Sequence, residues 1–193
     1  MLATSTLSLF AIASAAVAAA APPQKPWEIS DLIFSTPSGR PQASPYSHLN
    51  FTVIDPNVPY YPPPAGSSPS TDVESPTDKP APPTTVQCYA EWVWLGKPEA
   101  FYGLPNNCSH VEHGRWIFTI TKPNQTDTTD MHDFNLRLTH LVHPGEGFVG
   151  EAQFSWSKNL RGLCAASGFC QFVIRADALP FYINQTFTRV GVS

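Results

Sequence analysis

Four cysteines are the residues of this chain whose type and spacing most directly imply chemistry. They are Cys88, Cys108, Cys164 and Cys170. An even set of cysteines forms disulfides in an oxidising compartment, whereas in the cytosol such a set more often binds a metal or takes part in catalysis. The sequence contains no CxxC pair, which disfavours a zinc site. The compartment therefore decides between these chemistries.

Residues 1–20 are predicted to be a secretory signal peptide. The run from Leu2 to Ala20 carries no charge and is apolar before it becomes rich in alanine. Ala18 and Ala20 supply the small residues of an A-x-A cleavage site, with cleavage after Ala20 or, almost as well, after Ala19. The alternative is a membrane anchor, but the apolar core is short and no second span follows. The sequence thus predicts an extracellular, secreted protein that does not associate with a membrane.

Four N-x-S/T sequons support the secretory interpretation. They begin at Asn50, Asn107, Asn124 and Asn184, and proline occupies none of the middle positions. Sequons of this kind are glycosylation acceptors in secreted proteins, so all four asparagines are predicted sites. The middle residue of the Asn107 sequon is the oxidisable Cys108, which predicts poorer use of that site.

In an oxidising compartment the four cysteines are expected to form two structural disulfides. Three connectivities are open, and the sequence alone does not choose among them. We favour the local pairs, Cys88 with Cys108 and Cys164 with Cys170, because each would tie a loop to its neighbouring strand. The first would close about twenty residues and contribute roughly 3 kcal/mol on the chain-entropy model. A metal site is the less favoured alternative.

Length and charge limit the classes of function. Removal of the signal leaves about 170 residues, which suits one domain, residues 21–193, better than two. The chain has 11 basic and 15 acidic residues and a formal net charge of -4. It has no basic run or cluster, and binding a polyphosphate chain normally needs one. We therefore expect a single domain that does not bind nucleic acid.

Apolar residues alternate with polar residues along most of the mature chain. A period of two is typical of strands, and no stretch shows convincing helical periodicity. The predicted strands are centred on Trp27 to Ile33, Leu49 to Val53, Val86 to Trp94, Trp116 to Ile120, Phe134 to Leu138, Phe148 to Trp156, Gln171 to Ala176 and Phe181 to Val190. This pattern predicts an all-β fold, a single antiparallel β-barrel or sandwich.

The alternation also predicts which side chains face the core. In the third strand the inner face is formed by Val86, Cys88, Ala90, Trp92 and Trp94, and the outer face by Gln87, Tyr89 and Glu91. Cys88 is thus expected to point inward. In the second strand Asn50 falls on the outer face, as a glycan requires.

Residues 56–85 form a proline-rich segment that interrupts the strands. About a third of its residues are proline, which lacks the N–H group that a central strand needs. The few apolar side chains cannot offset the entropy of ordering the segment. We interpret it as an extended loop inserted into the domain. A polyproline ligand centred on Tyr60 and Tyr61 with the three prolines that follow is the functional alternative.

Catalytic and metal-binding constellations are weak in this sequence. Histidines spaced by three occur at His110 and His113 and at His140 and His143, with Glu112 and Glu146 nearby. On a strand that spacing sends the two side chains to opposite faces, which works against a metal site. The sequence has no G-x-S-x-G or HExxH motif. A carboxylate pair for glycoside hydrolysis is conceivable among Asp31, Glu91, Asp133 and Glu151, but nothing in their spacing selects them.

The order of the strand segments and cysteines carries a family resemblance. The segments are Trp27-Glu-Ile-Ser-Asp-Leu, Tyr46-Ser-His-Leu-Asn-Phe-Thr-Val, the pair Cys88 and Cys108, Gly114-Arg-Trp-Ile-Phe-Thr-Ile, Phe134-Asn-Leu-Arg-Leu-Thr-His and the closing pair Cys164 and Cys170. In this order the chain resembles the fungal family of the Alternaria major allergen, from roughly Pro26 to Val190 without the proline-rich segment. The resemblance implies a secreted β-barrel whose two internal disulfides lie at these cysteines.

The resemblance also implies a kind of function. Members of that family are secreted allergens, elicitors or effectors, some of which bind pathogenesis-related plant proteins. We therefore expect a fungal glycoprotein that contacts a host extracellular protein or cell-wall component through its surface, without catalysis, metal or cofactor. Relatives of the allergen itself link two barrels through an additional cysteine. No cysteine occurs between Ala21 and Gln87, so a monomer or a non-covalent oligomer is expected.

Two other functions stay open. A closed barrel can enclose a small aromatic ligand, and the five tryptophans, Trp27, Trp92, Trp94, Trp116 and Trp156, all lie in strand-like segments. The same side chains would equally serve to fill a core. A small extracellular hydrolase that uses the carboxylates named above is the second alternative.

Overall fold

The computed structural model describes residues 24–57, 82–93, 102–112, 114–122 and 133–189. The predicted signal peptide, most of the proline-rich segment, Trp94, His113 and Asn124 lie outside the described residues. Within the described ranges no helix is long and apolar enough to cross a membrane.

Strands make up most of the described chain. They are β1 Trp27–Thr36, β2 Tyr46–Asp55, β3 Thr84–Val93, β4 Asn106–Asn107, β5 Arg115–Thr121, β6 Asp133–His143, β7 Glu146–Ser155, β8 Leu160–Cys164, β9 Cys170–Ile174, β10 Phe181–Ile183 and β11 Gln185–Arg189. A short 3-10 helix, Ala176–Ala178, precedes β10. The prediction of an all-β fold is confirmed.

The strands form two antiparallel sheets. Sheet A has the order β3-β2-β1-β9-β8, with β10 also paired to β1, and sheet B has the order β11-β7-β6-β5-β4. The described strands thus form two separate sheets packed face to face, so the sandwich is the observed architecture of the two that the sequence left open. The closed barrel implied by the family resemblance is not what these strands form.

Alternation along each strand builds a core that is rich in aromatic rings. On β3, Val86, Cys88 and Ala90 are buried, and the residues between them are exposed, as predicted. Two edge-to-face contacts cross from sheet A to sheet B. The ring centroids of Trp27 and Trp116 are 4.8 Å apart, and those of Phe51 and Phe118 are 5.0 Å apart. These favourable ring geometries hold the inner faces together.

The two sheets are also joined at two of their edges. The disulfide between Cys88 and Cys108 connects β3 to the residue after β4, where the two cysteines also form an isolated β-bridge. Elsewhere β10 pairs with β1, and after Asn184 the chain continues as β11, which pairs with β7. At this crossover a Cβ on Gly150 would lie 2.7 Å from Ile183 and 2.8 Å from the Asn184 carbonyl oxygen. Glycine at position 150 therefore allows the close approach.

The second disulfide, Cys164 to Cys170, joins the neighbouring strands β8 and β9. Both predicted pairings are confirmed. Strand β8 was missed because Leu160–Cys164, with glycine at its centre, shows no clear alternation.

Several predicted boundaries were wrong by a few residues, and β7 ends at Ser155, so Trp156 lies in the following turn rather than in the predicted strand. Ala176 belongs to the 3-10 helix rather than to β9, and Asn184 divides the last predicted strand where the chain changes sheets. Thr84 and Thr85 belong to β3 rather than to the proline-rich loop, because they continue its pairing with Asp55 and Ile54.

Removing the first disulfide is expected to cost more stability than removing the second. Because Cys88–Cys108 spans 20 residues and Cys164–Cys170 spans 6, the chain-entropy model gives about 3 and about 2 kcal/mol. The first pair also joins the two sheets. Urea unfolding of the two double-alanine variants measures both losses. A larger loss for the β8–β9 pair would contradict the inter-sheet role of Cys88.

Candidate functional site

The predicted histidines lie in different surroundings. His110 is exposed in the loop after β4, His140 is buried in β6, and His143 ends β6 opposite Glu146 of β7. Within the described ranges no group of three or more His, Cys, Asp and Glu residues could hold a metal ion. His110, His140 and His143 therefore belong to no such group among the described residues, and His113 lies outside them.

A buried carboxylate–imidazole pair crosses between the sheets. His140 Nδ1 in sheet B lies 3.5 Å from Asp55 Oδ2 in sheet A, and the two side chains are 6% and 5% exposed. The other carboxylate oxygen, Asp55 Oδ1, accepts hydrogen bonds from the backbone N–H and the side-chain amide of Asn57, at 2.9 and 2.7 Å. Asn57 thus satisfies one oxygen of the buried carboxylate, and the other oxygen faces the His140 imidazole.

The imidazole of His140 is enclosed by its neighbours. Its ring stacks on Trp116, with centroids 4.2 Å apart and planes 13° apart. A Cβ at Gly114 would lie 2.7 Å from His140 Nε2, so glycine is needed beside the ring. This enclosure suits a structural link between the sheets better than a group that meets a substrate.

Sequence reasoning missed this pair, although a signal was present. Along β2, Asp55 follows Phe51 and Val53 at alternate positions that face the core. Along β6, His140 follows Leu136 and Leu138 in the same way. A polar residue in an inward position indicates a buried partner. Only the packing of one sheet on the other identifies which partner it is.

The four candidate carboxylates do not converge. Asp31 and Glu91 lie on sheet A, and Asp133 and Glu151 lie on sheet B. Within each sheet the two carboxylates are offset by four residues along the paired strands, which is about 13 Å. Glycoside hydrolases need about 5–9.5 Å between the two carboxyl groups. Glu151 instead pairs with Arg137, and Asp133 accepts a hydrogen bond from Gln153 at 2.9 Å.

The tryptophans divide between core and surface. Trp27 and Trp116 are fully buried, and Trp92 is half-buried and stacks on Phe34 with centroids 5.8 Å apart. Trp156 is 50% exposed and lies against Phe172. Trp27 and Trp116 therefore fill the interior between the sheets rather than lining a cavity.

The outer face of sheet A carries a hydrogen-bonded group formed by the exposed residues Tyr89 and Glu91 and the half-buried His48. The Tyr89 hydroxyl donates to Glu91 Oε2 at 2.7 Å and lies 2.9 Å from His48 Nδ1. The pKa of the Tyr89 phenol is raised, first by this hydrogen bond to Glu91, then by burial and by the carboxylate charge. The hydrogen bonds to Glu91 and His48 hold the ring in place.

A second exposed feature is the end of sheet A formed by strand β8, called here the β8 edge. It comprises Leu163, Trp156 and Phe169, which are 80%, 50% and 43% exposed. A Cβ at Gly162 would lie 2.6 Å from Trp156, so glycine lets this indole lie across the strand. A surface hollow of about 380 Å³ is lined by Arg161, Gly162, Leu163, Gln171 and Val173. No described strand pairs with the outer side of β8.

No family model, curated protein or solved structure matches the chain. The resemblance to the Alternaria allergen family therefore stays a prediction, and function must be argued from the residues themselves.

The sequons differ in their surroundings. Asn50, Asn107 and Asn184 are all exposed, as acceptor asparagines must be. Asn50 lies in the middle of β2, whereas Asn184 lies between β10 and β11. The side-chain oxygen of Asn107 accepts hydrogen bonds from Arg115 Nε and Nη2 at 2.9 and 2.7 Å. The three asparagines thus occupy a sheet face, a crossover and an edge.

Substituting Asp55 with alanine is expected to lower the free energy of unfolding by about 3 kcal/mol. The change breaks a buried pair and leaves His140 and Asn57 without the carboxylate. Urea unfolding measures the loss, with Asp31→Ala, an exposed carboxylate on β1, as the matched control within about 0.5 kcal/mol of the unsubstituted protein. Similar small losses for both variants would show that the Asp55–His140 pair does not link the sheets.

Proposed function

We propose that this chain is a secreted fungal protein that binds a host extracellular protein through the β8 edge, without catalysis. The predicted signal peptide and sequons support secretion, and two disulfides fit an extracellular protein. One observation carries the proposal. Leu163, Trp156 and Phe169 are exposed around β8, and no described strand pairs with the outer side of β8.

An edge of this composition favours association. Natural sheets usually protect an edge strand with charges, proline or a covering segment, because its unpaired N–H and C=O groups can pair with another chain. Here Leu163 is 80% exposed, and Arg161 is the charged side chain of the strand. A peptide segment added beside β8 would gain backbone hydrogen bonds and cover Leu163.

The β8–β9 hairpin is held rigid before any partner binds. The Cys164–Cys170 disulfide closes it, and Arg40 Nη2 donates to the Ala166 carbonyl oxygen at 3.1 Å. A Cβ at Gly168 would lie 2.8 Å from the Ser38 carbonyl oxygen, so the hairpin end packs closely on the β1–β2 loop. Rigidity reduces the entropy lost on binding.

The same observations favour a protein over the other partner classes. Backbone N–H and C=O groups along an edge strand are spaced to pair with those of another peptide strand. The hydroxyl groups of a polysaccharide do not have this spacing. The carboxylates lie too far apart for a glycoside-hydrolase pair, and Trp27 and Trp116 occupy the interior where an aromatic ligand would sit. A host protein is therefore the first candidate partner, and a cell-wall component is the second.

Affinity capture from plant apoplastic fluid tests the proposed function. The folded protein is expected to retain a host protein, and Leu163→Lys is expected to weaken its Kd at least tenfold, because a charge replaces the most exposed apolar side chain of the edge. Tyr182→Lys is the matched control, since Tyr182 is 57% exposed on β10 of the same sheet. Titration calorimetry with the purified partner gives both affinities, and circular dichroism confirms that both variants fold.

Three results would contradict the proposal. Equal binding by Leu163→Lys and the unsubstituted protein would exclude the β8 edge. Retention only on insoluble cell-wall polysaccharide would favour the second candidate partner. Hydrolysis of a polysaccharide or ester that a single carboxylate or serine substitution removes would show that the protein is an enzyme.

A further inference from the structure

We infer that an N-linked oligosaccharide on Asn50 packs against the ring of Tyr89 and covers the centre of the outer face of sheet A. The inference rests on secretion, which is part of the proposed function, since N-glycans are added in the secretory pathway. The glycan on Asn50 would then cover part of the outer face of sheet A and contribute to the stability of the fold.

Asn50 lies in a row of cross-strand neighbours on that face. It pairs with Tyr89 of β3 on one side and with Ile33 of β1 on the other, and Ile33 pairs in turn with Val173 of β9. Tyr89 and Ile33 are 52% and 38% exposed. Directly paired side chains on one face have Cβ atoms about 4.5–5.5 Å apart. The first sugar on Asn50 would therefore begin between an exposed phenol ring and an exposed aliphatic side chain.

The ring of Tyr89 is suited to receive a sugar. Its hydroxyl is held by Glu91 and His48, and its ring centroid lies 6.1 Å from that of His48. A ring fixed in this way loses little entropy when a ligand packs on it. The C–H groups along one face of a pyranose carry partial positive charge, and they are attracted to the negative face of an aromatic ring. Contact with the ring also removes apolar surface from water.

The other described sequons lack this arrangement. Asn107 lies on the two-residue strand β4, and its side-chain oxygen is engaged by Arg115. Asn184 falls between β10 and β11, outside either strand ladder. Asn50 is the sequon asparagine, among those the structure describes, that has an aromatic side chain directly opposite on the neighbouring strand.

A glycan at Asn50 is compatible with a partner at the β8 edge. Strands β1, β9 and β8 follow β2 in the order of sheet A. Three strand spacings are about 14 Å. Because Tyr89 lies on β3, on the opposite side of β2 from β8, an oligosaccharide that packs on its ring extends away from Leu163.

The experiment is a double-mutant cycle on the full chain secreted from a eukaryotic host. Peptide mass mapping first establishes which sequons carry glycan. Thermal unfolding then compares the unsubstituted protein, Asn50→Gln, Tyr89→Ala and the double variant. Asn50→Gln is used rather than a change at Thr52, because the Thr52 hydroxyl accepts a hydrogen bond from Gln87 at 2.9 Å and is itself structural.

The two substitutions are expected to be coupled. Tyr89→Ala should lower the Tm by about 2–4 °C more in the glycosylated protein than in the Asn50→Gln background, as expected for a contact that changes the unfolding equilibrium about fivefold. Tyr89→Phe should keep part of the coupling, since it retains the ring but loses the hydroxyl contacts with Glu91 and His48 that hold the ring in place. The matched cycle of Asn184→Gln with Tyr89→Ala should be additive.

Each contrary outcome has a distinct meaning. Absence of glycan at Asn50 while Asn184 carries one, or a glycan at Asn50 with additive effects, would overturn the inference and leave the proposed function intact. Absence of glycan at every sequon would count against both the inference and secretion. Loss of partner binding at the β8 edge with the coupling preserved would affect the proposed function alone.

Discussion

The contact of Trp27 with Trp116 brings the inner faces of the two sheets together. Both indoles are almost fully buried, and their edge-to-face packing spans the interior from β1 to β5. Trp116 in turn stacks on His140, whose imidazole pairs with Asp55 of the opposite sheet. A shift of one residue in either strand would turn its whole inner face toward water. The register of both sheets therefore depends on these large side chains meeting in the core.

Local patterns account for what the sequence could predict. A period of two is visible within each strand, so most strands, the inward position of Cys88 and the outward position of Asn50 followed from neighbouring residues alone. The local disulfides could be favoured because each joins segments that are close in sequence. The sandwich could not be separated from a barrel, because strand alternation is the same in both.

Features that depend on the packing of distant segments were not predictable. The partner of Asp55 is His140, which lies in the other sheet, so its identity depends on how the sheets face each other. Strand β8 lacks alternation because Gly162 makes room for Trp156, a residue of the preceding turn. The loss of alternation in β8 also leaves apolar side chains exposed at the β8 edge. The proposed binding surface thus arises where the simple strand pattern fails, as is common at binding sites.

The crossover from β10 to β11 has a consequence for how the protein folds during synthesis. Strand β10 completes the pairing of β1, and β11 forms the last strand of sheet B, although both follow all other described strands in the sequence. Neither sheet is complete until this segment has left the ribosome. Until then β1 and β7 present unpaired backbone to their surroundings. Completion of both sheets therefore waits for this last segment and depends on contacts between residues that are far apart in the chain.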